Sequence, residues 1–138
     1  MSIPTIEGVP PFRGEKSLGE WTRRLQEYLR THLQSFAWPE TRITLPNGDS
    51  QNVDIKGGYV VHFVGPTGAF AIGGLGGGTA GRQVILHNAS TGTMTLRDLA
   101  AGSASANRIR TFTGDTVVST ATLIWDSLST KWLLVGRM

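Results

Sequence analysis

The chain changes character near residue 40, and that break limits what it can fold into. Before it lie a proline-rich leader and one amphipathic stretch; after it, nearly a hundred residues read as short strands and glycine-rich turns. Residues 2–16, SIPTIEGVPPFRGEK, hold three of the six prolines. Proline fixes φ, removes a donor and drives its predecessor to extended geometry, so neither a helix nor a central strand is expected there. Ile3, Ile6, Val9 and Phe12 recur every third position, the period of polyproline backbone, which lines them along one edge of an extended arm. Residues 1–16 therefore read as a docking arm that engages a larger body through Ile3, Pro4, Ile6, Val9, Pro10, Pro11 and Phe12. The plain alternative is a solvated terminus.

Residues 17–38 read as one amphipathic helix. Ser17-Leu18-Gly19-Glu20 has the form of a capping box, and Pro39 ends the run. Leu18, Trp21, Leu25, Tyr28, Leu29, Leu33 and Phe36 follow at helical spacing, with Arg23, Arg24, Glu27, Arg30 and Gln34 largely outside. A helix of about 20 residues is too short to stand alone, so its stripe must pack on something. Its own β domain and further copies of itself are both open, and the stripe is assigned as an oligomerisation surface.

Residues 41–138 read as a β-rich distal domain. Its first segment, TRITL-PNG-DSQNVDI, is expected to be a hairpin. A three-residue Pro46-Asn47-Gly48 loop with Gly48 left-handed brings Ile43, Leu45, Val53 and Ile55 onto one face, which a two-residue Asn47-Gly48 turn does not. Strands then follow at 59–64, 68–72, 82–88, 92–98, 108–112, 115–120, 122–126 and 131–136, nearly all separated by turn signals. That spacing predicts a compact antiparallel sandwich or prism. No internal repeat is evident.

Composition narrows function. No cysteine is present, which weakens both a disulfide-stapled secreted domain and a thiolate zinc site. No run of 18 apolar residues exists and the first residues lack the form of a signal peptide, so no membrane insertion is expected. The net charge of +3 lies after residue 56, on Arg82, Arg97, Arg108, Arg110, Lys131 and Arg137 against three aspartates. These cations are dispersed, without the dense basic stripe of a nucleic-acid binder.

Catalytic constellations are missing. Gly76-Gly77-Gly78-Thr79-Ala80-Gly81 matches G-x-G-x-x-G, but a strand rather than a helix follows, so the phosphate-binding mechanism fails. His32, His62 and His87 sit on a helix and two separate strands without ligand spacing. Asp98, Asp115 and Asp126 each lie beside turns, where aspartate serves the backbone. The expectation is a non-enzyme with no catalytic residue, cofactor or metal. Trp125 and Trp132 flank the last hairpin; they read as core or interface anchors in preference to a stacking platform for a host surface glycan.

The run Gly81-Arg82-Gln83-Val84-Ile85-Leu86-His87-Asn88, then Thr93-Met94-Thr95-Leu96, Ala106-Asn107-Arg108-Ile109, Leu123-Ile124-Trp125-Asp126 and Lys131-Trp132-Leu133-Leu134 resembles the β-rich distal domain of small bacteriophage virion fibres, spikes and head decorations. The resemblance covers about residues 57–138. It implies that Gly81-Arg82 start a strand that Asn88 ends, that Asn107-Arg108 shape a turn before Ile109 enters the core, and that Trp125, Asp126 and Trp132 fix the final hairpin. It implies no catalytic residue. Such proteins are commonly homotrimers tethered to the particle by an N-terminal segment. The implied role is a virion structural protein assembled in the host cytoplasm, with capsid or tail proteins as partners of the arm. The chain is short for a receptor-binding tail fibre, which favours a head fibre or decoration over a tail-associated carbohydrate-binding adhesion module.

Overall fold

The structure, a computed structural model, describes residues 15–34 and 38–138. The chain divides into two units, Met1–Ala37 and Trp38–Met138, each treated by itself. The expected arm residues Ile3 to Phe12, and Phe36 of the helix stripe, lie outside the described residues.

Helix α1 spans Glu15–Gln34. It begins two residues before the expected start, so Ser17 lies inside the helix; helix boundaries read from pattern commonly err by this much. Trp21, Leu25 and Tyr28 are half-buried while their described neighbours are exposed, Leu29 included at 45%. They are spaced four and three apart, as the apolar stripe requires. Arg24 and Glu20 pair at 2.8 Å across one turn.

The second unit is mainly β. Its strands are β1 (Glu40–Thr44), β2 (Gly48–Ser50), β3 (Val60–Val64), β4 (Phe70–Ile72), β5 (Gln83–Asn88), β6 (Met94–Leu96), β7 (Ile109–Arg110), β8 (Thr116–Val118), β9 (Thr120–Asp126) and β10 (Lys131–Arg137). Each of the eight strand segments after residue 57 falls where alternation places it. Their pairing does not follow the antiparallel expectation. A six-stranded sheet runs β1-β3-β5-β9-β10-β7, and a four-stranded sheet runs β2-β4-β6-β8. β1 with β3, β3 with β5, β2 with β4, β4 with β6, and β10 with β7 are all parallel.

The parallel ladders show a short solenoid. The chain runs along one sheet, turns a corner, runs along the other, crosses a third wall and returns one rung higher. Glu40 faces Val60, which faces Ile85; Gly48 faces Phe70, which faces Met94; on the third wall Val53 bridges Leu75. Three rungs stack this way. Successive rungs differ in length, because the glycine-rich segment after Leu75 lengthens the second, and that hides the repeat from inspection of the sequence.

The expected hairpin at 41–55 is therefore not formed: β1 and β2 belong to different sheets. Its turn chemistry is present, since Gly48 is left-handed at φ 84°, but the turn makes a corner instead of reversing the chain. Leu45, Val53 and Ile55 are buried and Ile43 packs against the core from a half-buried position. These residues do share an interior, reached from different walls of one rung and not from one sheet face.

Side chains stack in columns between rungs. Val61, Leu86 and Ala121 form one such row, and Phe70, Met94 and Val118 another, all buried. After the third rung the chain reverses. β8 and β9 pair antiparallel with β6 and β5, and β10 returns along β9. This reversal gives the last rung's two strands partners, as a terminal repeat needs.

Candidate functional site

Sites on a solenoid are built from residues that pairing brings into line, whatever their separation in sequence. On the outer face of the six-stranded sheet, strand register places Arg42, His62, His87 and Thr120 side by side. His62 and His87 meet with Nδ1 atoms 2.9 Å apart and rings nearly perpendicular. Only one facing nitrogen can carry the proton of that bond. Glu40 Oε1 stands 3.5 Å from the other nitrogen of His62, Nε2. The sequence placed these histidines on two separate strands; parallel pairing twenty-five positions apart makes them neighbours.

On the four-stranded sheet, Arg97 spans two aspartates, with Nη2 3.0 Å from Asp49 and Nη1 2.9 Å from Asp115. The bonds to Asp49 and then Asp115 hold the guanidinium above its ordinary pKa. Asp115 is held below the usual carboxylate value, first by the Asp98 backbone N–H and then by Arg97. Asp126 is lowered by the Ser129 hydroxyl and backbone N–H in the β9–β10 turn. All three aspartates that follow residue 57 accept from backbone N–H groups, Asp126 within its own turn and Asp115 and Asp98 across longer separations, from Asp98 and Thr111.

A polar cluster fastens the third wall. Ser103, 2% exposed, donates to Gln51 Oε1 and accepts from the Asn52 N–H, while Asn52 Oδ1 accepts from Ala104 N–H and Asn107 Nδ2. The Ser103 hydroxyl thus ties the Gln51 side chain to the Asn52 backbone.

The glycine-rich segment is held by Arg82, which donates to the carbonyls of Gly77, Lys56 and Gly58. The segment is thus a bridge between rungs. Its glycine at 78 lies against the Trp125 ring, and no helix follows it.

The two candidate glycan residues have other duties. Trp132 is fully enclosed and its Nε1 donates to the Leu75 carbonyl at 2.9 Å, so it has no face for a sugar. Trp125 is half-buried against the core, and its Nε1 donates to the Ala106 carbonyl. The exposed aromatics are instead Trp38, 56% accessible and stacked on Tyr59 at 4.4 Å, and Phe112, 61% accessible with the Arg110 guanidinium 5.3 Å from its ring centroid.

At the first rung, a groove of about 520 Å³ has Ile43, Leu45 and Val53 in its wall and Arg42, Asp54 and Lys56 at its rim. Among the described residues no strand pairs with the outer edges of β1 or β2, and no group of three or more His, Asp or Glu could hold a metal ion. No described helix is long and apolar enough to cross a membrane. No protein-family model matches this sequence, and no curated protein matches it significantly.

Proposed function

We propose that this chain is a non-enzymatic bacteriophage virion structural protein: a short homotrimeric fibre or decoration anchored by its N-terminal arm. The observation that carries the reading is how the β unit uses its polar side chains. Arg82, Asn47, Asn52, Ser103, Asp98, Asp115 and Asp126 are spent on corners and on links between rungs. A rigid stack with its polar groups so committed suits a projecting part better than a reaction centre. The amphipathic α1 and the apolar period of residues 3–12 supply candidate elements for assembly and docking.

Light scattering on the full chain tests it. A trimer at micromolar concentration is expected, and a stable monomer would overturn the assembly. Deleting residues 2–16 is expected to abolish incorporation into particles while leaving the trimer folded.

The second reading is a carbohydrate-binding adhesion module. Exposed Trp38 on Tyr59 is the observation favouring it, since aromatic faces stack on sugar rings. A glycan array in which Trp38→Ala removes every hit supports it; an array without hits counts against it.

A further inference from the structure

We propose that His62 and His87 form a binding site for one borderline divalent transition ion, Cu²⁺ in preference to Ni²⁺ or Zn²⁺, which links the second rung to the third. The two residues are register partners on adjacent parallel strands, so their Cα atoms lie about 4.8 Å apart on a fixed backbone. Their Nδ1 atoms are 2.9 Å apart. Two nitrogens bound at about 2.0 Å in adjacent positions of a square-planar ion stand roughly 2.8 Å apart; tetrahedral zinc spreads them to about 3.3 Å. The 2.9 Å separation is that of a hydrogen bond and lies near both values, so the preference for Cu²⁺ rests on the higher affinity of imidazole nitrogens for Cu²⁺ than for Ni²⁺ or Zn²⁺. Binding requires both rings to rotate about their Cβ–Cγ bonds, so that the Nδ1 atoms turn from each other toward one ion.

The surroundings support the assignment. Imidazole ligands are best oriented when the second ring nitrogen donates to a carboxylate, and Glu40 stands at His62 Nε2. Register neighbours on the same face are Val60 and Val64 on β3, Ile85 on β5, and Thr120 and Thr122 on β9. None competes as a charged ligand. Arg42 on β1 is the one cation in the row, and it opposes any second positive charge there. Removing it is expected to tighten binding.

Binding is coordination without redox change. The ion takes the lone pairs of both Nδ1 atoms, the bridging proton moves through solvent to Nε2 of the ring that carried it, and water completes the coordination. Each neutral ring keeps one proton, so none is released to the medium.

The test is Cu²⁺ titration of the full chain, followed by electron paramagnetic resonance and amide NMR. One ion per chain with hyperfine structure from two nitrogens is expected, and paramagnetic broadening should centre on Val61, His62, Leu86 and His87. His62→Asn and His87→Asn should each weaken binding by more than tenfold; Glu40→Gln should weaken it about tenfold. His32→Gln should change nothing. Unaltered binding in the His62→Asn/His87→Asn double variant overturns the proposal. So does broadening centred anywhere else in the unmodified protein, a result that depends on no variant folding.

Discussion

Asn47, in the corner of the first rung, accepts hydrogen bonds through its side-chain oxygen from the backbone N–H groups of Thr67 at 2.9 Å and Gly68 at 3.1 Å. The corner of one rung thereby satisfies donors of the next, which a turn between paired antiparallel strands would leave to water. This contact turns a Pro-Asn-Gly sequence into a joint between layers.

Asn47→Ala should destabilise the β unit by about 1–2 kcal/mol, since two donors lose their acceptor near the surface. Asn47→Asp retains an acceptor at the same place and should restore most of the loss. Urea unfolding followed by far-UV circular dichroism measures both.

Trp132 joins the last strand to the third wall through the Leu75 carbonyl from a fully buried position. Trp132→Ala should cost about 3–5 kcal/mol from cavity formation alone. A unit this small can lose its cooperative transition at that cost. Trp132→Phe should fall between, leaving the Leu75 carbonyl unpartnered. A thermal melt of each variant separates them.

The third-rung corner passes so close to the second that a Cβ on Gly92 would lie 2.1 Å from the Gly68 carbonyl oxygen. Neither backbone can yield without opening a ladder, so Gly92→Ala should lower stability by more than about 2 kcal/mol. A Cβ on Gly57 meets nothing within 4 Å. Gly57→Ala should stay within about 0.5 kcal/mol of the parent.

Acid should destabilise the protein through Asp115 and Asp126. Both are depressed below the ordinary carboxylate value by hydrogen bonds formed only when folded. A depressed folded-state pKa contributes stability above the unfolded value of about 3.9, and that contribution is lost as pH falls through the lower folded value. Arg97 stays charged throughout, as its own shift is upward. Urea midpoints between about pH 5 and pH 2 should fall, and the fall should shrink in Asp115→Asn and Asp126→Asn.

Much of the β unit was legible locally. Alternation located the later strands because one face of each is buried, as in β3, where Val61 and Phe63 point inward. Turn chemistry marked Gly48 as left-handed and Asp126 as a turn residue. Asn88 ends β5 and orders its turn through Ser90 and Gly92, Ile109 and Trp132 are buried, and Asp126 holds Ser129. What stayed hidden was which strand pairs with which. The His62–His87 contact follows from pairing, so it was not visible, whereas a core place for Trp132 was among the readings of the sequence.

From the sequence alone came the break near residue 40, the amphipathic period of α1, the strand positions and the residues destined for an interior. These depend on local sterics and on periodicity of burial, which neighbouring residues encode. The tertiary structure alone decided that the strands stack as parallel rungs, that Pro46-Asn47-Gly48 makes a corner, and that two distant histidines share a proton. Alternation tells a strand which face to bury, but parallel and antiparallel partners bury the same face equally well. Only the closing of rungs over one core, with Asn47 and Arg82 satisfying the donors and carbonyls between them, chooses the partner.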